Sequence, residues 1–398
     1  MVIFPVFFDS AERLAMSPRS LLSIISFLNL FVLTVFFSST ANSQEATPGE
    51  WKLRQKATNS VIRVIADDVN STSFRAAAEM ANLLARRKGL RLLPIAGKGG
   101  AANISDLLYL KDVDLAVVSL DALERIKAEN TFPNLERRVA YVAKLFNEEV
   151  YVLAPAQMKS IRDLAGKKIG VGPRDGSGDF SARAIFETAN VPYESVYADY
   201  PKALLELQRG ELDAVVMVSG KPVRILEDLT NSGLRLLPVS FDFASKSNYV
   251  PVVLKASDYP NLVPAGETVE TVATQNVLLS FNWKQDTSRY KKVATFIDQF
   301  FPYTTELAQQ PNHPKWREFN PSARLSDWKR VEAAENIVAR LGTLGTAVNS
   351  CNPADLRTAF NNYLADANIR LTGEISKADA EKLFIGFEEW VKTRSTQQ

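Results

Sequence analysis

Two stretches of the chain repeat one design. Val113-Asp114-Leu115-Ala116-Val117-Val118-Ser119 and Leu212-Asp213-Ala214-Val215-Val216-Met217-Val218-Ser219 each run from an acid through an apolar strand to a serine, with a helical pattern after it. A continuous apolar run of this length, unlike an alternating one, belongs to a strand covered on both faces, as in a parallel sheet flanked by helices. Val61 to Ala66 is a third such strand, followed by the polar turn Asp67 to Ser73 and a helix rich in Ala, Leu and Met up to Lys88. The hexapeptide Gly-Leu-Arg-Leu-Leu-Pro occurs at 89–94 and again at 233–238. It reads as one idiom used twice, in which glycine ends a helix, a buried parallel strand follows and proline closes it. Its order relative to the acid-strand-serine run differs in the two halves, which excludes a simple tandem duplication. The pattern predicts an α/β protein of two similar lobes.

Two long extended segments connect these halves. Val139 to Ala154 contains two apolar runs separated by Asn147-Glu148-Glu149, long enough to leave one sheet and enter another. Tyr249 to Leu254 and Gln275 to Phe281 are most simply returned to the first lobe, so that the chain crosses at least twice and a hinged cleft results. The expected boundaries are 44–150 with 245–310 for lobe 1, 151–244 for lobe 2, and 311–398 for a C-terminal helical arm and extension. With 398 residues, 46% of them hydrophobic, the chain is long enough for two cores. The last residues, from Cys351, carry amphipathic patterns that read as a packing appendage or a partner-binding module.

The N-terminus looks like an export signal. Residues 20–44 carry no charge, follow Arg13 and Arg19, and end around Ala41-Asn42-Ser43, which puts small residues at the −3 and −1 places of a cleavage site. The expected signal is 1–43, with Met16 as an alternative start and an uncleaved membrane anchor as the other reading. Cys351 is the only cysteine, which precludes an internal disulfide and leaves nothing after the apolar run for lipid attachment. A bacterial periplasm suits such a chain. The net charge of +2, with scattered basic residues, argues against nucleic acid as a partner.

The candidate site follows from the topology, because open α/β sheets hold ligands beyond the carboxyl ends of their strands. The turn Arg174-Asp175-Gly176-Ser177-Gly178-Asp179-Phe180 follows a strand and opens a helix, whose free N–H groups and positive dipole end suit an anion. Ser71, Thr72, Ser73, Gly99, Gly100 and Ser119 from one lobe, and Arg174, Ser177, Gly178, Asp179, Phe180 and Ser219 from the other, supply donors and close backbone approach. Tyr249 and Phe180 are aromatic candidates for the lining. Each has a plainer alternative: Ser73, Ser119 and Ser219 as helix caps, Asp179 as a cap paired with Arg183, Arg174 as a solvated turn residue, the aromatics as core. An enzyme has little to work with, since His313 is the only histidine and lies in a proline-rich run. One histidine and one cysteine supply no zinc site, and no cofactor is indicated.

The stretches GKKIGVGPRDGSGDFSARAIFETANVPY, ALLELQRGELDAVVMVSGKPVRIL and SNYVPVVLKASDYPNLVPAGETVETVATQNVLLSF, together with His313-Pro314-Lys315-Trp316, resemble the TAXI family of TRAP-transporter solute-binding proteins. The resemblance runs from about Val61 to about Trp328. It implies the type II periplasmic-binding-protein fold, two α/β lobes with a hinge, here with a C-terminal helical extension. It also implies a periplasmic monomer that captures a small organic anion, a carboxylate or an amino acid, and delivers it to TRAP-type membrane permease subunits. A membrane-anchored ligand-sensing protein on the same fold is the alternative. The chain departs from the family in its first turn, Asp67 to Ser73, in Asp179 after the Gly-Ser-Gly turn, and in its tail beyond Leu344.

Overall fold

Strand β1 (Val61–Ala66) lies between β2 (Arg91–Ala96) and β3 (Leu115–Ser119), parallel to both, with helices α1 (Thr72–Ala85), α2 (Gly100–Tyr109) and α3 (Leu120–Ala128) following the strands in turn. The computed structural model describes residues 61–86, 90–230, 233–240 and 248–349, and the isolated Gly49; the expected signal at 1–43 and the tail beyond 349 lie outside them. The apolar runs are strands because both faces are covered. Ile62, Val64, Leu115 and Val117 pack against Met80 and Leu84 of α1, while Ile65, Ala116 and Val118 pack against Ile104 of α2 and Leu123 of α3.

Strand β4 (Val139–Pro155) then carries the chain into a second lobe, where β5 (Lys168–Gly170) lies between β6 (Glu194–Val196) and β7 (Ala214–Ser219) in the same parallel arrangement. Helices α4 (Ser177–Ala189) and α5 (Tyr200–Gln208) cover its two faces through Phe186 and Leu204. The short β8 (Leu234–Leu236), β9 (Val250–Lys255) and the long β10 (Thr268–Phe281) complete one ten-stranded sheet of order β2-β1-β3-β10-β4-β7-β5-β6, with β8 on β4 and β9 on β10. Each half repeats one order, β2-β1-β3-β10-β4 and β6-β5-β7-β4-β8. Both long strands change partners midway: β4 pairs with β10 up to Glu149 and with β7 from Glu149 on, and β10 pairs with β9 up to Ala273 and with β3 from Asn276. This is the two-lobe, hinged α/β fold expected from the sequence.

The repeated acid has one task in both lobes. Asp114 accepts the Arg63 amide of β1 at 2.9 Å, and Asp213 accepts the Lys168 amide of β5 at 3.0 Å, each pinning the start of the neighbouring strand. Helix α6 (Ser288–Phe300) and helix α7 (Glu332–Asn349) pack on lobe 1 through Phe296, Phe300 and Ile337, with Trp316 between them and the sheet.

Three expectations change. Pro94 does not close β2 but sits within it, paired with Val64, which an edge strand tolerates because its outer N–H side needs no partner. The second copy of the hexapeptide forms β8, antiparallel to β4 rather than parallel. Residues 250–269 do not return to lobe 1: Leu254, Tyr259, Leu262 and Val269 pack with Tyr151 and Leu204 in the core of the second lobe, so the return occurs within β10.

Candidate functional site

The turns at the carboxyl ends of the strands meet across the cleft. Ser71 caps α1 by accepting the Phe74 amide at 3.0 Å, which presents Thr72 to the opposite lobe. Thr72 Oγ1 lies 3.0 Å from Ser219 Oγ and accepts the Gly220 amide at 2.9 Å. The Ala101 amide donates to the Asp175 carbonyl at 3.3 Å. Gly100 (φ +44°) allows this approach, since a Cβ there would stand 2.1 Å from that carbonyl, and a Cβ on Gly176 would stand 2.8 Å from the Lys98 carbonyl. Ser177 Oγ donates to Asp67 Oδ2 at 3.1 Å. A small space of about 40 Å³ remains between the lobes, lined by Asp67, Lys98, Ser177, Tyr200 and Ser219 among others. A wider groove of about 550 Å³ opens beside it, past Asn70, Arg75, Arg224 and His313.

The floor of this cleft is acidic. Asp67 keeps some solvent contact at the cleft edge, yet burial pushes its carboxyl up to about 7, against the Ser177 hydrogen bond and with repulsion from Asp68 and Asp121 adding to the rise. Glu148 is 1% exposed and is raised well above the ordinary carboxylate range by burial and then by Asp67, an effect that Asn276 beside it partly offsets. Asp121 is fully served, accepting from Tyr249 at 2.5 Å, Ser181 at 2.8 Å and Thr274 at 2.9 Å. Tyr200 points its hydroxyl at the start of α4, so that a Cβ on Gly178 would stand 2.3 Å from it.

A model of the NMT1-like family matches residues 69–304, a span that takes in most of both lobes and the turns carrying Thr72, Gly100, Ser177 and Ser219. The chain belongs to the NMT1-like family. Among solved structures, it is similar to an arginine-bound ArgBP from T. maritima (16% identity, 62% of this chain and 98% of that one, TM-score 0.36). It is also similar to the substrate-binding protein of an amino acid ABC transporter (16%, 64% and 96%, TM-score 0.38) and to a TctC solute-binding protein from Polaromonas (13%, 60% and 84%, TM-score 0.37).

In this NMT1-like chain the structure brings together Ser71, Thr72, Gly99, Gly100, Ser177, Gly178 and Ser219 around the closed cleft. Ser119 is buried at the end of β3, opposite Asn276, and Ser73 and Tyr249 are buried supports, Ser73 accepting the Asp67 amide at 3.3 Å. Three expectations are corrected. Arg174 is exposed and lies 4.0 Å over the ring of Tyr197 in its own lobe, a cation–π position that holds it away from the cleft. Asp179 accepts the Asp175 amide at 2.9 Å and pairs with Arg183 at 3.0 Å, which is a capping role. Phe180 packs into the core of lobe 1 beside Ile104, an apolar contact between lobes and not a lining. His313 is buried, its Nδ1 accepts the Lys315 amide at 3.2 Å, and burial lowers it to about 4. Sequence reasoning missed Asp67, Asp121, Glu148, Tyr200 and Asn276. For Glu148 the signal was present, a pair of carboxylates in the middle of an apolar strand.

Proposed function

We propose that this protein is a solute-binding protein of the periplasm, which closes its two α/β lobes on a small polar solute and hands it to a membrane permease. The observation that carries this reading is the set of hydrogen bonds across the cleft: Thr72 to Ser219 and Gly220, Ser177 to Asp67, and Ala101 to Asp175. Such contacts belong to a closed form that opens by flexing where β4 and β10 change partners. The resemblance to the TAXI family favours TRAP-type permease subunits as the partner, with the protein acting as a monomer behind a cleaved signal at 1–43. No reaction is part of the proposal. Of the solutes raised by the sequence, an amino acid suits the cleft better than a dicarboxylate, because a dicarboxylate meets repulsion from Asp67 as that group ionises and brings no cation to stabilise the charged form of Glu148.

The test is to compare the protein as purified with protein stripped of small molecules by unfolding and refolding. Stripped protein should show a larger radius of gyration by X-ray scattering, and the extract should contain a small solute whose return restores the compact form. Identical scattering before and after stripping, with nothing in the extract, would refute the reading. Mass spectrometry of the mature N-terminus tests cleavage, and loss of solute uptake when the gene is deleted tests delivery.

A further inference from the structure

Beneath the contacts that close the cleft lies a group of poorly served polar atoms. Strands β3 and β10 place Ser119 opposite Asn276, and β10 and β4 place Thr274 opposite Glu148. Side chains two apart on a strand share a face, and directly opposed residues share it too. Ser119, Asn276, Thr274 and Glu148 therefore form one patch where the two lobes join, and all four are buried. Thr274 is served by Asp121. Ser119 Oγ has no hydrogen-bond partner, and Glu148 Oε1 and Asn276 Nδ2 make no bond of ordinary geometry, although the Asn276 amide stands close enough to Glu148 to favour its charged form. Buried polar groups are nearly always well paired in native proteins, so three poorly served ones on one face, at the strand ends where α/β sheets hold ligands, mark a place suited to a polar molecule.

The charge around this seat says what that molecule carries. Glu148 faces Asp67 and Glu149 as like charges and Lys315 as an opposite charge. Lys315 is already engaged, by Glu149 at 2.6 Å and by Glu318 at 2.7 Å. Asp121, on the neighbouring helix, has its full set of donors from Tyr249, Ser181 and Thr274. The patch thus has a surplus acceptor in Glu148, a hydroxyl able to accept or donate in Ser119, and a surplus donor in Asn276.

We infer that the solute presents a nitrogen cation, an ammonium or a guanidinium, to Glu148 Oε1 and Ser119 Oγ, with an oxygen acceptor beside it for Asn276 Nδ2. This rests on the solute-binding reading and adds the polarity of the ligand. Burial and the neighbouring Asp67 and Glu149, opposed by Asn276 and Lys315, favour a proton on Glu148 in the absence of a cation. A cation displaces that proton, so binding releases one proton and tightens as pH rises, by about tenfold per unit below the folded-state pKa of Glu148.

Calorimetry on the stripped mature chain tests this with L-lysine, L-alanine and agmatine as nitrogen cations, and with succinate and glutarate as anions lacking one. At least one nitrogen probe should bind, with affinity rising as pH rises and with proton release seen as a dependence of the heat on buffer. Glu148→Gln should weaken that probe by at least about tenfold and flatten the pH dependence, with Ser119→Ala a milder loss of about threefold. Unchanged far-UV circular dichroism and melting behaviour would show that both variants fold. Binding of succinate or glutarate in preference to every nitrogen probe overturns the cation assignment and leaves solute binding intact. A nitrogen probe that binds Glu148→Gln as well as wild type also overturns it. Failure of all five probes overturns the cation assignment, and the scattering comparison above then decides separately whether the lobes bind a solute.

Discussion

At the scale of single residues, the cleft is controlled by carboxylates whose charge is expensive to keep. Asp67 titrates near 3.8 when unfolded and near 7 here, because burial outweighs the hydrogen bond from Ser177. The folded protein therefore holds more protons than the unfolded one between these values, so Asp67 stabilises the fold at pH 4–5 and loses that contribution as pH rises through about 7. Thermal melting of wild type should fall from pH 5 to pH 8 by an amount worth roughly 1–2 kcal/mol, allowing for the solvent that reaches this side chain. Asp67→Asn should flatten this part of the slope, and an unchanged slope would mean that Asp67 is charged throughout. None of this was visible in the sequence, where Asp67 was one of six polar residues in a seven-residue turn. Its burial comes from Ser177 and Tyr200 of the other lobe, more than a hundred positions away. Thr72, Ser177 and Ser219 were legible because strand ends and helix starts announce themselves locally. Arg174 was not, because the ring of Tyr197 that draws it aside is set by tertiary packing.

At the scale of elements, the strongest signal was the repeated acid before an apolar strand, and it marks the same joint in each lobe. The two joints differ in surroundings. Asp114 is 1% exposed and also holds Lys292 at 2.6 Å and Arg289 at 3.1 Å, whereas the side chain of Asp213 is 33% exposed and meets Lys167 at 3.4 Å. Asp114→Asn leaves a largely buried lysine without its partner and should cost about 3 kcal/mol, while Asp213→Asn should cost under about 1 kcal/mol. Chemical denaturation of the two variants checks the contrast, and equal costs would refute the burial argument. Strand pairing was less legible than strand existence. The hexapeptide promised two parallel strands and supplied one edge strand running through its proline and one antiparallel strip. Identical local sequences met different neighbours, and the neighbours decided.

At the scale of the molecule, closure depends on how near the two lobes can come. Gly176 has ordinary extended backbone, φ −85°, so alanine is allowed there at the cost of a tight 3.1 Å approach to the Pro173 carbonyl in its own turn, but the added carbon would press harder, at 2.8 Å, on the Lys98 carbonyl of the other lobe. Gly176→Ala should lower the melting temperature only slightly, hold the lobes apart in X-ray scattering and weaken solute binding. A variant as compact as wild type would show that the lobes do not meet at this point in solution. Strands β4 and β10 carry a further consequence. Each lends one end to either lobe, so a cut between 155 and 161 leaves both pieces with a sheet that lacks a strand. Fragments 61–155 and 156–349 should each be insoluble when produced separately and should recover a folded complex when produced together. Division of labour between the two halves of this gene has been traded for mutual dependence.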